Sequence, residues 1–266
     1  MKRLEQTFAD NRIKGETTLV AYITSGYPSL GETVGLIAAA EQAGADVIEL
    51  GVPFSDPLGD GPVIQATGQA ALDTGTTTAA TLDVVAEARA AGVEAPIVLM
   101  GYCNPFLRYG LAQLYDDARS AGADGFVVPD LPTREGAEWL ANAEASELGQ
   151  VFFAAPGSST ERIAESAAAS RGFLYVLAAN GVTGVRSELA DGIDSYLERV
   201  RSVSGDTPLA VGFGISRPEH VAALHGRADG VIVGSALLQR IGAARDAAGR
   251  RRATTELISS LKAATR

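Results

Sequence analysis

Residues 43–51 read AGADVIELG, and the reading of this stretch decides the fold. A glycine suited to the left-handed cap of a helix comes first. A short turn follows, and then Val47, Ile48 and Leu50 make an extended run that is apolar on both faces. Strands of that kind belong to parallel sheets covered on both sides. Residues 121–130 (AGADGFVVPD) and 226–235 (GRADGVIVGS) repeat the plan: helix end, Gly-x-Ala/Asp turn, buried strand, loop.

Working outward from this unit, eight strand-like runs emerge, at Leu19–Thr24, Asp46–Gly51, Pro96–Met100, Gly125–Pro129, Val151–Ala155, Phe173–Leu177, Pro208–Phe213 and Gly230–Val233. Between them lie Ala-rich helical patterns at Leu30–Ala43, Thr78–Ala91, Leu111–Ala121, Arg134–Leu148, Glu161–Ala169 and Asp191–Ser202. Strict alternation implies right-handed βαβ units. Eight such units predict a closed α/β barrel of the (β/α)8, or TIM, type, which typically needs roughly 250 residues; the chain has 266. No Pro/Gly/Ser-rich linker divides residues 1–266, so one barrel domain is expected. An extra helix over the first ten residues should cover the barrel floor, and 249–266 should form a final helix.

Composition narrows the function. The 32 acidic residues outnumber the 22 basic ones, for a net charge of −10. That disfavours nucleic acid and anionic membranes as partners. The run Arg250–Arg252 reads as a solvated helix face. No long apolar segment or signal-like start is seen, so a cytoplasmic location is expected. Cys103 is the single cysteine, which leaves no internal disulfide and no cysteine metal cluster. Lysine occurs only as Lys2, Lys14 and Lys262, near the chain ends, and histidine only as His220 and His225, in one helical stretch away from the strand ends. A Schiff-base aldolase lacks its lysine and a zinc-dependent one its ligands. No metal is expected.

In this fold the chemistry sits in the loops at the carboxyl ends of the strands. Glu49 shares its strand face with Val47; it is either a salt-bridged structural residue or a functional acid whose pKa the apolar surroundings raise. The loop GVPFSDPLGDGP (51–62) is long for its place and carries Asp56 and Asp60. Asp60 reads equally as a cap for a helix starting near Pro62 and as a catalytic acid. Tyr175 faces with Phe173 and Leu177, as core or as catalyst. Glycine turns at 181–184, 212–216 and 234–235 suit a phosphate ligand, with 236–240 as a short helix aimed at it.

Several motifs carry a family resemblance over about residues 3–262: ELGVPFSDPLGDGPVIQ (49–65), LMGYCNPFLRYG (99–110), PDLP (129–132), NGVTGVR (180–186) and GFGIS (212–216). In this order they resemble the tryptophan synthase alpha subunit family. The resemblance implies retro-aldol cleavage of indole-3-glycerol phosphate to indole and glyceraldehyde 3-phosphate. It implies Glu49 as proton shuttle, Asp60 as partner of the indole nitrogen and Tyr175 as aid at the glycerol end. Phosphate would be held at Gly184, Gly214, Gly234 and Ser235, and Thr183 would clamp Asp60 on loop closure. Tyr22, Leu99, Tyr102, Val128 and Phe153 would wall the indole pocket. Asp56, Pro57, Asn104, Asp130 and Pro132 would contact a beta subunit in an αββα heterotetramer. No cofactor is expected in this chain; pyridoxal phosphate would belong to the beta subunit.

The sequence departs from the family pattern at Leu177–Asn180, at Tyr22 (commonly phenylalanine) and at Ala155–Ser158. Alternatives are a stand-alone indole-3-glycerol phosphate lyase, a catalytically impaired activator of the beta subunit, or a related barrel of the same pathway. Indole-glycerol phosphate synthase would need a strand lysine that this chain lacks.

Overall fold

The computed structural model describes residues 2–178, 193–212 and 214–266. Its strands are β1 (Thr18–Thr24), β2 (Val47–Gly51), β3 (Ile97–Met100), β4 (Gly125–Val127), β5 (Gly149–Val151), β6 (Phe153–Ala154), β7 (Leu174–Leu177), β8 (Leu209–Gly212) and β9 (Gly230–Val233). All pair in parallel, in the order β5-β4-β3-β2-β1-β9-β8-β7-β6. Only Phe152 separates β5 from β6, so these are two halves of one barrel strand and the ends of the sheet meet there. The Phe152 N–H leaves the ladder to donate to Ser170 Oγ at 3.1 Å, while its carbonyl accepts the Tyr175 N–H at 2.9 Å. The expected eight-strand barrel is present, with its fifth strand interrupted.

The helices are α1 (Lys2–Lys14), α2 (Leu30–Gln42), α3 (Pro62–Asp73), α4 (Thr78–Ala90), α5 (Cys103–Tyr109), α6 (Leu111–Ala121), α7 (Ala137–Ala145), α8 (Thr160–Ala169), α9 (Ile193–Arg201), α10 (Pro218–Leu224), α11 (Ser235–Ala243) and α12 (Ala247–Lys262). The helix expected at Arg134–Leu148 is shorter, because Pro132 and Gly136 frame a separate 3₁₀ turn at Thr133–Glu135. Arg250 is not simply solvated: it pairs with Glu32 at 3.0 Å and ties α12 to α2.

The three-fold sequence repeat has a physical meaning. Gly44, Gly122 and Gly226 all take positive φ at the end of a helix. The aspartate two residues or so later opens the next strand and accepts a neighbouring strand's N–H: Leu19 to Asp46, Ile97 to Asp124 and Leu209 to Asp229, each at 2.8 Å. A cation neutralises each one, Lys262, Arg89 and Arg201 respectively. These acids stitch the amino ends of the strands, opposite the catalytic end, and are structural.

Two apolar layers follow from the strand period of two. Ile48, Leu50, Leu99, Phe126 and Val128 face outward under the helices. Val20, Val47, Val98, Val127, Val151, Phe173 and Ile232 fill the barrel. Leu4 and Phe8 of α1 join this inner layer from below, with the Phe8 and Phe173 rings 5.4 Å apart. The expected floor helix is therefore α1. Removing such a buried ring costs about 3–5 kcal/mol.

Candidate active site

Above the inner layer the barrel opens into a cavity of about 290 Å³. Its base is set by strand register. Tyr22 of β1 stands beside Glu49 of β2, and both point inward one step above Val20 and Val47. The Glu49 side chain is fully buried, and neither carboxyl oxygen has a hydrogen-bond partner among the described residues. Burial, followed by the nearby Asp60 charge, pushes its pKa up to about 8. The salt-bridged structural reading of Glu49 is thereby set aside.

Asp60 lies at the end of the loop between β2 and α3. The capping position of α3 is Gly61, with Pro62 just inside the helix, so Asp60 is not the cap. Its backbone carbonyl instead accepts Gln65 Nε2 at 2.7 Å. Its carboxyl turns to the cavity, where Oδ1 is buried without a partner among the described residues and Tyr102 supplies a hydrogen bond. Burial raises its pKa to about 7, against the lowering effect of Tyr102. Tyr102 is held in turn by the Gly59 N–H, which donates to its hydroxyl at 3.1 Å, and by its ring contact with Phe54.

Tyr175 of β7 completes this wall. Its ring stacks on Phe153 at 4.6 Å, and burial with the two carboxylates beside it keeps the hydroxyl neutral. Two glycines make room for the tyrosines. A Cβ on Gly51 would lie 2.1 Å from the Tyr22 hydroxyl, and one on Gly212 would lie 2.4 Å from the Tyr175 ring. Any larger residue at these strand ends would drive a ring out of place.

The apolar wall differs from expectation by one residue in two strands. Leu99 and Val128 face the helices, because the inward positions of β3 are Val98 and Met100. Met100 and Pro129 line the cavity in their stead, with Ile64, Ile215 and Ile232. Counting in twos from Val98 would have found Met100; Pro129 lies past the end of β4 and carries no such signal. Of the other residues expected on the wall, Tyr22 and Phe153 line the cavity and Tyr102 does not, standing behind Asp60 instead.

At the other end of the cavity Gly214, Gly234, Ser235 and Ala236 gather. Ser235 begins α11, so the first N–H groups of that helix face the opening. The helix expected at 236–240 is this one, extended to Ala243. Thr183 and Gly184 lie outside the described residues. His220 corrects another expectation: although on α10, its ring reaches the loop after β8, with Nδ1 3.0 Å from the Gly214 oxygen. On the rim, Asp56, Asn104, Asp130 and Pro132 are exposed and Pro57 is half-buried. Asp130 accepts the Cys103 N–H at 2.9 Å, which ties the loops after β3 and β4 together.

A buried carboxyl pair opposite a glycine-rich helix terminus is an arrangement that can exchange protons with a ligand at one end and accept an anion at the other. Known proteins share this arrangement of chain. The family model for the tryptophan synthase alpha chain matches residues 8–266. The tryptophan synthase alpha chain of Chloroflexus aggregans is 46% identical over 241 residues, covering 91% of this chain and 90% of the relative. A tryptophan synthase structure from Mycobacterium tuberculosis superposes with a TM-score of 0.90 at 38% identity, covering 99% of this chain and 98% of that one. The tryptophan synthase alpha subunit of Legionella pneumophila superposes with a TM-score of 0.88 at 34% identity, over 100% and 98% of the two chains. Matched along nearly all of its length in sequence and in fold, the chain belongs to the tryptophan synthase alpha chain family.

Proposed function

We infer that this chain cleaves indole-3-glycerol phosphate to indole and glyceraldehyde 3-phosphate as the alpha subunit of a tryptophan synthase. The observation that supports it best is Glu49, a buried carboxyl with no hydrogen-bond partner among the described residues, facing an apolar cavity that also holds Asp60. Structural acids are paired; an unpaired one is retained for a ligand.

The chemistry follows from the protonation states. With its pKa near 8, Glu49 is mostly a neutral acid at pH 7 and can deliver a proton to indole C3. The ring then carries positive charge at its nitrogen, and ionised Asp60 accepts the ring N–H and stabilises that charge. Glu49, now a carboxylate, takes the proton of the side-chain hydroxyl. The carbonyl forms, the carbon–carbon bond breaks, and its electron pair returns to the ring to release neutral indole. The protonated ring is the electron sink that lysine or a metal supplies in other aldolases. Tyr175, neutral and next to both acids, serves the glycerol end. Backbone N–H groups at Gly214, Gly234 and Ser235 hold the phosphate, aided by the positive end of α11.

The exposed rim after β2, β3 and β4 is the surface on which a beta subunit would dock in an αββα assembly. Apolar side chains stand on this rim: Leu58, in the loop after β2, is 87% exposed and Leu107, on α5 after β3, 54%. Pyridoxal phosphate belongs to that partner, since the lysines of this chain sit on α1 and α12, far from the cavity mouth in the chain's topology. Among the described residues no helix is long and apolar enough to cross a membrane, and we place the complex in the cytoplasm. Indole release from indole-3-glycerol phosphate, with and without a beta subunit, tests the reading. Release by the isolated chain supports it; activation of a beta subunit without any release would make the chain an activator only.

A further inference from the structure

We propose that His220 is a positioning residue for the phosphate end of the cavity, holding the Gly214–Ser216 loop so that a backbone N–H faces the ligand. The proposal rests on the phosphate reading of that end.

His220 is buried, 5% exposed, on α10 behind the loop. Its Nδ1 lies 3.0 Å from the Gly214 carbonyl oxygen and 3.3 Å from the Ser216 nitrogen. Its Nε2 lies 3.4 Å from an Arg217 guanidinium nitrogen. Arginine can only donate, so Nε2 offers its lone pair and the proton sits on Nδ1. In that tautomer Nδ1–H donates to the Gly214 carbonyl, the shorter of the two contacts, and the Ser216 N–H, which also points at Nδ1, is accepted only in the other tautomer. Gly214 itself is at φ +89°, a conformation L side chains rarely adopt, so its carbonyl direction depends on what holds it.

The consequence lies in the peptide that follows. A trans peptide is planar, and its C=O and N–H point to opposite sides. Drawing the Gly214 oxygen back to His220 turns the Ile215 N–H the other way. Gly214 and Ile215 both line the cavity, with Gly234 and Ser235. His220 thus sets one donor of the cradle against those at the start of α11. Because its contacts surround the first turn of α10, the competing role is that of a helix-terminus bond alone, of the capping-box kind.

Ligands that differ only at the phosphate separate these roles. Glycerol 3-phosphate, indole, and indole-3-glycerol lacking the phosphate are titrated against wild type, His220→Leu and His220→Gln by calorimetry. In His220→Leu the glycerol 3-phosphate Kd should rise about tenfold, with both phosphate-free ligands unchanged. In His220→Gln, whose amide can still donate to Gly214, affinity should return to within about threefold of wild type. With indole-3-glycerol phosphate, His220→Leu should raise KM and leave kcat nearly unchanged. Should His220→Leu not fold, Arg217→Ala on the surface is the second variant, expected to weaken glycerol 3-phosphate about two- to threefold by freeing the tautomer. Equal losses for all three ligands, or no loss for glycerol 3-phosphate, would overturn the role of His220. If wild type binds glycerol 3-phosphate no better than glycerol, the phosphate reading itself is what fails.

Discussion

Tyr102 holds Asp60. Its hydroxyl donates to the Asp60 carboxylate and accepts the Gly59 N–H at 3.1 Å, so one side chain from the loop after β3 fixes the end of the loop after β2. The bond favours the ionised acid, against burial that favours the neutral one. Tyr102→Phe removes it. The acidic limb of the kcat/KM profile, near pH 7 if Asp60 must be ionised, should then move up by about one unit, since a hydrogen bond to a charged group is worth about 1.5–3 kcal/mol and a pKa unit about 1.4. An unmoved limb would show that Asp60 does not set it.

Glu49→Gln keeps the shape of the buried side chain and removes its proton. Turnover should fall by at least about 10²–10⁴-fold, the usual contribution of a positioned acid–base group. Glycerol 3-phosphate affinity should stay within about twofold. Wild-type-like turnover in this variant would end the proposed mechanism.

The same substitution should stabilise the protein, and more so at alkaline pH. The folded-state pKa of Glu49, about 8, lies above its usual value of 4.5. Between those values the folded chain binds more protons than the unfolded one, so wild-type stability falls as pH rises through the window. Glu49→Gln lacks this slope. Denaturant unfolding at pH 5 and pH 9 should show its advantage growing by about 1–3 kcal/mol. An advantage that does not grow with pH would mean Glu49 is ionised in the folded state throughout.

Gly212→Ala places a carbon where the Tyr175 ring stands, 2.4 Å away. Overpacking of this kind costs about 1–3 kcal/mol. Activity should fall at least about tenfold as the ring shifts, while far-ultraviolet circular dichroism stays native. A crystal structure of the variant with Tyr175 unmoved would contradict this.

Gly234 behaves differently. Its φ of −125° is negative, unlike that of Gly214, and a Cβ there would meet Tyr22 at an ordinary 3.4 Å. Gly234→Ala should be tolerated, whereas Gly234→Leu should fill the phosphate end and raise KM by at least about tenfold. Comparable KM values for the two variants would place the phosphate elsewhere.

The inward aim of Glu49 was legible because period two in a strand is rigid, and Val47 shows the direction. The repeat predicted the barrel because its glycine and aspartate serve helix ends and strand starts, local events with local signals. Leu99 and Val128 went astray through the same rule: a slip of one residue exchanges the two faces. Asp60 could not be decided from sequence, since a cap and a catalyst share the pattern Asp-Gly-Pro until Gly61 is seen to take the cap. Tyr102 was expected only as pocket wall, and its hold on Asp60, like the reach of His220, was hidden for another reason. Each acts through a contact set by how separate loops pack, Tyr102 on Gly59 across 43 residues, and no periodicity encodes that.

The plug formed by Leu4 and Phe8 makes the barrel a blind cup. Among the described residues the cavity opens away from that plug, on a side bordered by the loops bearing Asp56, Asn104 and Asp130. A protein that settled on this border would stand beside the opening and narrow the way from the cavity to bulk water.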